Sequence, residues 1–136
     1  MTVFVDTSVF SLAWRRDAPA DLPQIERFAE ALQAGEVIST GVVLQELLQG
    51  FAGPKSAAAI TERFAAIPLL TPIRDDHIQA AALRNRCRQA GIQIGTIDAL
   101  LAQLCIAREL TMLTADADFQ RIAGQSPLRV WSQPTR

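Results

Sequence analysis

Short β-rich runs alternate with longer segments of helical spacing along this chain, and acidic residues stand where the first and fourth of those runs end. Together these features make it an α/β domain with a largely parallel sheet. The 136 residues suit one domain spanning 1–136, long enough to bury a core without disulfides or a structural metal. Hydrophobic residues make up 49%, which argues against disorder.

The elements follow in order. Met1 to Val5 is a β-rich run that ends at Asp6, and a helix begins near Ser8. Leu22 to Ala34 carries helical spacing at Ile25, Phe28, Ala29 and Leu32, with Gly35 as its stop. Glu36 to Ser39 reads as a strand. Thr40 offers an N-cap for a helix holding Val43, Leu44, Leu47 and Leu48, closed by Gly50. Lys55 to Ala66 is an alanine-rich helix that ends before Pro68, and Leu69 and Leu70 mark a brief strand. A helix from about Asp75 to Ala90 stops at Gly91. Thr96 can cap the next helix, which buries Ile97, Leu100, Leu101, Leu104 and Cys105. Thr111 to Leu113 is a fourth strand, Asp116 and Asp118 lead into a short helix, and Leu128 to Trp131 is a last strand.

Composition narrows the function classes. No charge-free stretch reaches the ~18 apolar residues that a membrane span needs. An acid at position 6 comes too early for a secretory signal, so the cytoplasm is the expected location. The two cysteines, Cys87 and Cys105, match no zinc spacing and read as reduced, packed thiols; the single histidine, His77, sits in a polar helical stretch. The net charge of −1 does not advertise a nucleic-acid binder. Its distribution is more telling. Lys55 is the one lysine, and arginines cluster at Arg15 and Arg16 and at Arg84, Arg86 and Arg88. Arginine's planar fork suits phosphate, so these five are candidate RNA-backbone contacts, and equally candidate solvated helix faces.

Asp6 and Asp116 lie where the first and fourth strands end, the edge at which open α/β sheets bind ligands. Each can also simply cap a following helix. Glu46 stands inside a helical run, where a solvated glutamate is ordinary. Asp98 stands in the first turn of a helix that is apolar nearly all round. The helix N-terminus favours it by ~0.3–1 kcal/mol. A buried acid also needs a partner, and a metal ion is one.

The segments Val3-Phe4-Val5-Asp6-Thr7-Ser8, Val43-Leu44-Gln45-Glu46-Leu47, Thr96-Ile97-Asp98-Ala99-Leu100-Leu101-Ala102 and Leu113-Thr114-Ala115-Asp116-Ala117-Asp118-Phe119 occur in this order. Each is weak alone, but the ordered set resembles the four motifs of the PIN-domain family, in its branch of VapC-type toxins, over essentially the whole chain. The resemblance implies a three-layer α/β/α sandwich with strand order 3-2-1-4-5. It implies a magnesium-dependent endoribonuclease (manganese as substitute), the toxin of a toxin–antitoxin pair, with RNA as substrate, a cognate antitoxin as partner and a homodimeric state. Asp6, Glu46, Asp98 and Asp116 are then the catalytic set. Asp6 and Asp98 are the best direct metal ligands, Asp116 belongs to the metal pocket, and Glu46 acts through water or a second ion. Thr7 and Thr114 support the carboxylates, and Asp118 caps the short helix. The implied reaction is hydrolysis by in-line attack, leaving a 5′-phosphate and a 3′-hydroxyl.

The donor chemistry agrees with that implication. Magnesium takes oxygen ligands, and converging carboxylates cannot all stay ionised without a cation among them. Such an ion lowers the pKa of a bound water and stabilises charge on phosphorus, so no histidine base is needed. Three rivals fit less well. A haloacid-dehalogenase-type phosphatase would want a second aspartate where Ser8 stands. A receiver domain would want an aspartate after the third strand, where Leu70-Thr71-Pro72 runs. A non-catalytic module with an acidic pocket stays open. The apolar residues Phe10, Trp14 and Phe51 fall outside the strongest core stripes and suggest a protein interface, where a partner's amphipathic helix could dock.

Overall fold

The computed structural model describes residues 1–19 and 21–134. Strands and helices alternate in the order β1 (Val3–Val5), α1 (Thr7–Trp14), α2 (Pro23–Ala34), β2 (Val37–Thr40), α3 (Gly41–Gly50), α4 (Pro54–Phe64), β3 (Leu69–Leu70), α5 (Arg74–Gln89), α6 (Thr96–Ala107), β4 (Thr111–Leu113), α7 (Ala117–Ala123) and β5 (Arg129–Val130). All strand pairs are parallel, in the order β3-β2-β1-β4-β5. The sheet grows from β1 one way to β3, then crosses over to β4 and grows the other way to β5. Right-handed crossovers then put α1 to α4 on one face and α5 to α7 on the other. Accordingly α1 packs on α2 and α3, and α3 on α4, while α5 packs on α6 and α6 on α7. The chain thus adopts the three-layer arrangement and strand order that its motifs implied.

With both faces covered, the central strand must be apolar throughout, and Val3, Phe4 and Val5 are fully buried. Val5 pairs with Leu113, so Asp6 and Thr114 leave the sheet side by side, where its growth changes direction. Ser39 Oγ donates to Val5 O (2.8 Å) and ties the end of β2 to the same edge.

Local chemistry fixes the helix ends. Asp6 Oδ1 accepts the Val9 N–H (3.3 Å), so α1 begins at Thr7, one residue ahead of expectation. Thr40 Oγ1 caps α3 by accepting the Val43 N–H (3.2 Å). Gly35 ends α2 in a left-handed conformation (φ +69°) that a side chain rarely adopts. There Glu36 N–H reaches Ala31 O (2.8 Å) and Gly35 N–H reaches Leu32 O (3.2 Å).

Three local expectations change. Gly50 does not close α3 but is its last helical residue; the cap is Phe51, whose N–H bonds Leu47 O (3.0 Å). Gly50 has no positive φ, and a glycine in a final turn costs only about 1 kcal/mol. Thr96 does not cap α6. Gly95 does, because its carbonyl takes the first helical bond from Ala99 N–H (3.0 Å), and no side chain assists. Phe10, read as a candidate surface residue, is fully buried. Its ring lies 4.8–5.2 Å from those of Phe64, Trp14 and Phe28, and the Arg63 guanidinium covers Trp14 from outside (5.2 Å). Only Trp14 and Phe51 remain partly exposed.

One ion pair locks the second helix layer. Asp76, in the first turn of α5, is buried and accepts both Arg108 Nη1 (3.1 Å) and Nη2 (2.9 Å) from the end of α6. Its Oδ2 also accepts the Ile73 N–H (2.8 Å). Arg108 holds the Asp76 carboxyl below its ordinary range, against the opposing effect of burial.

Candidate active site

Asp6, Glu46, Asp98 and Asp116 line one small pocket, of about 250 Å³, together with Thr7, Ser8, Leu101 and Phe119. Each arrives by a different route. Asp6 follows β1, and Asp116 follows β4 and caps α7. Glu46 comes from the second turn of α3, which Thr40 starts at the end of β2. Asp98 comes from the first turn of α6. The parallel order gathers these ends at one edge, although the four residues span most of the chain.

The pocket is lined with hydroxyl donors. Thr114 Oγ1 donates to Asp6 Oδ2 (2.5 Å), and Ser8 Oγ donates to Asp6 Oδ1 (2.7 Å). Ser8 Oγ also accepts the Ala115 N–H (2.9 Å), so one serine fixes Asp6 and the β4–α7 loop together. Thr114 Oγ1 accepts the Asp116 N–H (3.0 Å). Thr7 Oγ1 donates to Glu46 Oε1 (2.6 Å), which aims that carboxylate across the pocket. Thr7 and Thr114 thus stand beside the acids that they were read to support. Ser8 is a site residue that the sequence reading missed, because a serine two places after an aspartate looks only like a helix start.

Asp116 takes the capping role expected of Asp118 and also lines the pocket. Asp116 caps α7, its Oδ1 accepting the Asp118 N–H (2.9 Å). Asp118 sits inside the first turn and pairs with Arg121. Capping through the N–H two residues on is open to an aspartate at position 116, which is extended, but not to one already inside the helix. Asp98, Asp116 and Asp118 each offer an oxygen, and the three oxygens lie within 4.8 Å of one another.

Electrostatics marks the same cluster. Burial raises the Asp6 carboxyl from 3.8 to about 6, against the lowering effect of bonds from Thr114, Ser8 and the Val9 N–H; nearby Asp116 adds to the rise. Burial also raises Asp98 to about 6, helped by the charges of Asp116, Asp118, Glu46 and Asp6. A set of carboxylates held close against their own repulsion fits a hard divalent cation, which prefers oxygen donors. No histidine or cysteine lines the pocket.

This gives an expected pH dependence for the metal-free chain. Both acids bind protons more tightly folded than unfolded. Their stabilising protonation is therefore complete below about pH 4 and lost as pH rises through about 6. For Asp6, a rise of about two units corresponds to about 3 kcal/mol. Asp98 is half-exposed, and solvent screening makes its share smaller. In chelator the chain melts at a higher temperature at pH 5 than at pH 7.5, as followed by circular dichroism. A flat or opposite trend would contradict the crowding of these acids.

The predicted basic residues divide. Arg15 and Arg16 lie beyond the far end of α1, about 12 Å of helix from Asp6, and Arg15 pairs with Asp17 (3.2 Å). Arg86 is exposed and is not among the residues that line the cavity of Arg84 and Arg88. Arg84 and Arg88 line a cavity with residues 92–95, next to the start of α6. Cys87 and Cys105 are buried free thiols, and His77 is exposed. Among the described residues, no helix is long and apolar enough to cross a membrane.

Comparison with known proteins returns one consistent picture. The family model described as PIN domain matches residues 3–125. No curated protein sequence matches the chain significantly. Solved structures do. FitAcB from Neisseria gonorrhoeae is similar with a TM-score of 0.76 at 18% identity, covering 96% of this chain and 97% of its own. VapBC-5 from Mycobacterium tuberculosis, a member of the VapBC family of toxin-antitoxin systems, is similar with a TM-score of 0.69 at 27% identity, over 95% of this chain and 96% of its own. VapC20 from Mycobacterium tuberculosis, a sarcin-ricin loop cleaving toxin, is similar with a TM-score of 0.65 at 22% identity, over 94% of this chain and 99% of its own.

Proposed function

Since the chain belongs to the PIN-domain family, its model matching residues 3–125, we propose that it is a magnesium-dependent endoribonuclease and the toxin of a toxin–antitoxin pair. The observation that carries this reading is the pocket in which Asp6, Glu46, Asp98 and Asp116 meet, two of them with raised carboxyl pKa values. Asp6, Asp98 and Asp116 would hold the ion directly, and Glu46 would act through water or a second ion; manganese would substitute. When bound, such an ion supplies positive charge that favours hydroxide over water and offsets charge building on phosphorus.

The chain's own residues do the positioning. Ser8 and the Val9 N–H occupy both acceptor directions of Asp6 Oδ1, whereas Thr114 leaves Oδ2 one further direction, since a carboxylate oxygen carries two lone pairs. Thr7 holds Glu46 Oε1, so the other Glu46 oxygen is free to accept a proton from water in the pocket. Leu101 and Phe119 give the pocket an apolar wall that keeps the acids close.

The toxin role rests on the likeness to VapBC-5, described as part of a toxin–antitoxin system, and to VapC20, described as a loop-cleaving toxin. A cognate antitoxin would inhibit by placing an Arg or Lys among the carboxylates, where charge-assisted bonds are strong. Its helix would rest on the partly exposed Trp14 and Phe51, which line a shallow groove with Lys55, Ala59 and Arg63. Purified protein is expected to cut RNA with magnesium or manganese, to stop in chelator, and to stop again when the small protein encoded beside it is added. Cleavage that is equally fast in chelator would refute the metal pocket. Harmless expression with no inhibitory neighbour would refute the toxin role and leave the nuclease standing.

A further inference from the structure

The acidic pocket binds no phosphate unaided, because its carboxylates repel one. A cavity of about 470 Å³ opens beside it, lined by Arg84, Arg88, Ile92, Gln93, Ile94 and Gly95. Its volume falls in the range of pockets that hold small ligands, about 300–1,000 Å³. Its rim reaches Asp98: Gly95 lines the cavity, and a Cβ placed on it would lie 4.0 Å from Asp98 Oδ2.

The charge in this cavity is unspent. Arg84 and Arg88 stand four residues apart and so on one face of α5, whereas Arg86 lies between them and points away. Arg84 Nε donates to Ile94 O (2.9 Å), which fixes the guanidinium plane and leaves its two Nη groups available. Arg88 Nη2 bonds only the neutral Asn85 Oδ1 (3.0 Å). Among the described residues the ion pairs use Arg15, Arg27, Arg108 and Arg121, and neither cavity arginine. One anchored fork from Arg84 and a second from the exposed Arg88 lining one space, with an amide from Gln93 and an apolar surface from Ile92, suit a phosphate with a base attached.

We propose that this cavity holds the nucleotide next to the cleaved phosphodiester, with its phosphate on Arg84 and Arg88 and its base over Ile92. The inference rests on the ribonuclease reading and names the substrate subsite of that same site. An RNA strand would then run from a basic cavity, past Gly95, into the acids. Strand direction and register follow from two fixed points of opposite charge rather than from one.

The test is binding without turnover. A fluorescein-labelled, mixed-sequence 12-nucleotide single-stranded RNA is titrated with Asp98→Asn protein in magnesium buffer and followed by anisotropy. Adding Arg84→Ala and Arg88→Ala raises Kd at least tenfold at low salt. It also flattens the dependence of log Kd on log salt by about 0.7, the change for one phosphate neutralised on a single strand. Arg88→Ala alone, whose guanidinium anchors no backbone, raises Kd at least threefold, so the result does not depend on the Arg84 contact to the loop. Arg86→Ala changes Kd less than twofold. An unchanged Kd in the double variant, or an equal loss with Arg86→Ala, overturns the subsite. The two readings fail separately. Wild-type protein that cuts no RNA in magnesium sinks the ribonuclease, whereas indifferent cavity arginines in a protein that does cut sink only this site.

Discussion

Asp98→Asn protein no longer cleaves RNA, yet in chelator it melts at a higher temperature than the wild type. The substitution keeps size and shape and removes one charge. Loss of activity follows from the proposed role of Asp98 as a direct metal ligand, and a fall of at least about 10²- to 10³-fold is the scale of removing one electrostatic stabiliser from an active site. The gain in stability follows from the raised carboxyl pKa of about 6. An ionised Asp98 has a favourable position at the α6 N-terminus, worth ~0.3–1 kcal/mol. Its pKa is nevertheless raised, so burial and the four neighbouring acids outweigh the helix. Neutralising it should raise the metal-free melting temperature at pH 7.5 and leave it nearly unchanged at pH 5, where the wild-type acid is already largely protonated. Full activity with the fold intact, or a lower melting temperature at pH 7.5, would overturn the assignment of Asp98.

Asp76→Ala has the opposite character: activity per folded molecule survives, and stability drops by roughly 2–4 kcal/mol, the scale of breaking a largely buried ion pair by removing one partner. Three charge-assisted bonds disappear, two from Arg108 and one from the Ile73 N–H. Arg108 is 28% exposed and regains some water, which keeps the loss toward the lower end. The pH dependence is also reversed. The Asp76 carboxyl is lowered in the fold, so its contribution is present above about pH 4 and lost on acidification through the folded pKa. Urea melts at pH 7 with and without the substitution measure this directly; a difference below about 0.5 kcal/mol, the usual size of a neutral surface change, would mean that the pair is structurally idle.

The α/β class and its elements were legible because their signals are local, whereas the strand order came with the family resemblance. Buried strands such as Val3–Val5 are continuous apolar runs, Thr40 and Gly35 are caps that work by geometry within four residues, and α/β alternation then leaves few topologies. Asp6, Asp98 and Asp116 were legible for the same reason, since each lies in a short motif beside an element end; Glu46, inside α3, stood out only through its place in the ordered set of motifs. What stayed hidden depends on distant partners. Ser8 matters because Ala115 arrives from 107 residues away, and Asp76 because Arg108 arrives from 32 residues away. Phe10 was misjudged because α1 has only eight residues, too few turns to show which side faces Phe28 and Phe64. Asp116 and Asp118 are interchangeable by type; only the backbone at 116, extended rather than helical, decides which one caps.

The outermost strands of the sheet, β3 and β5, are two residues long. An incoming strand would find about one repeat of unpaired backbone on either side, far short of the ladder that drives edge-to-edge association. The sheet is thus closed to growth without being closed into a barrel. Two copies of this chain gain little by joining sheets, and the same brevity protects it while its slower parallel pairings form. Any lasting assembly draws its buried area from the helical layers, where Leu32, Ile78 and Ile97 already stand in water.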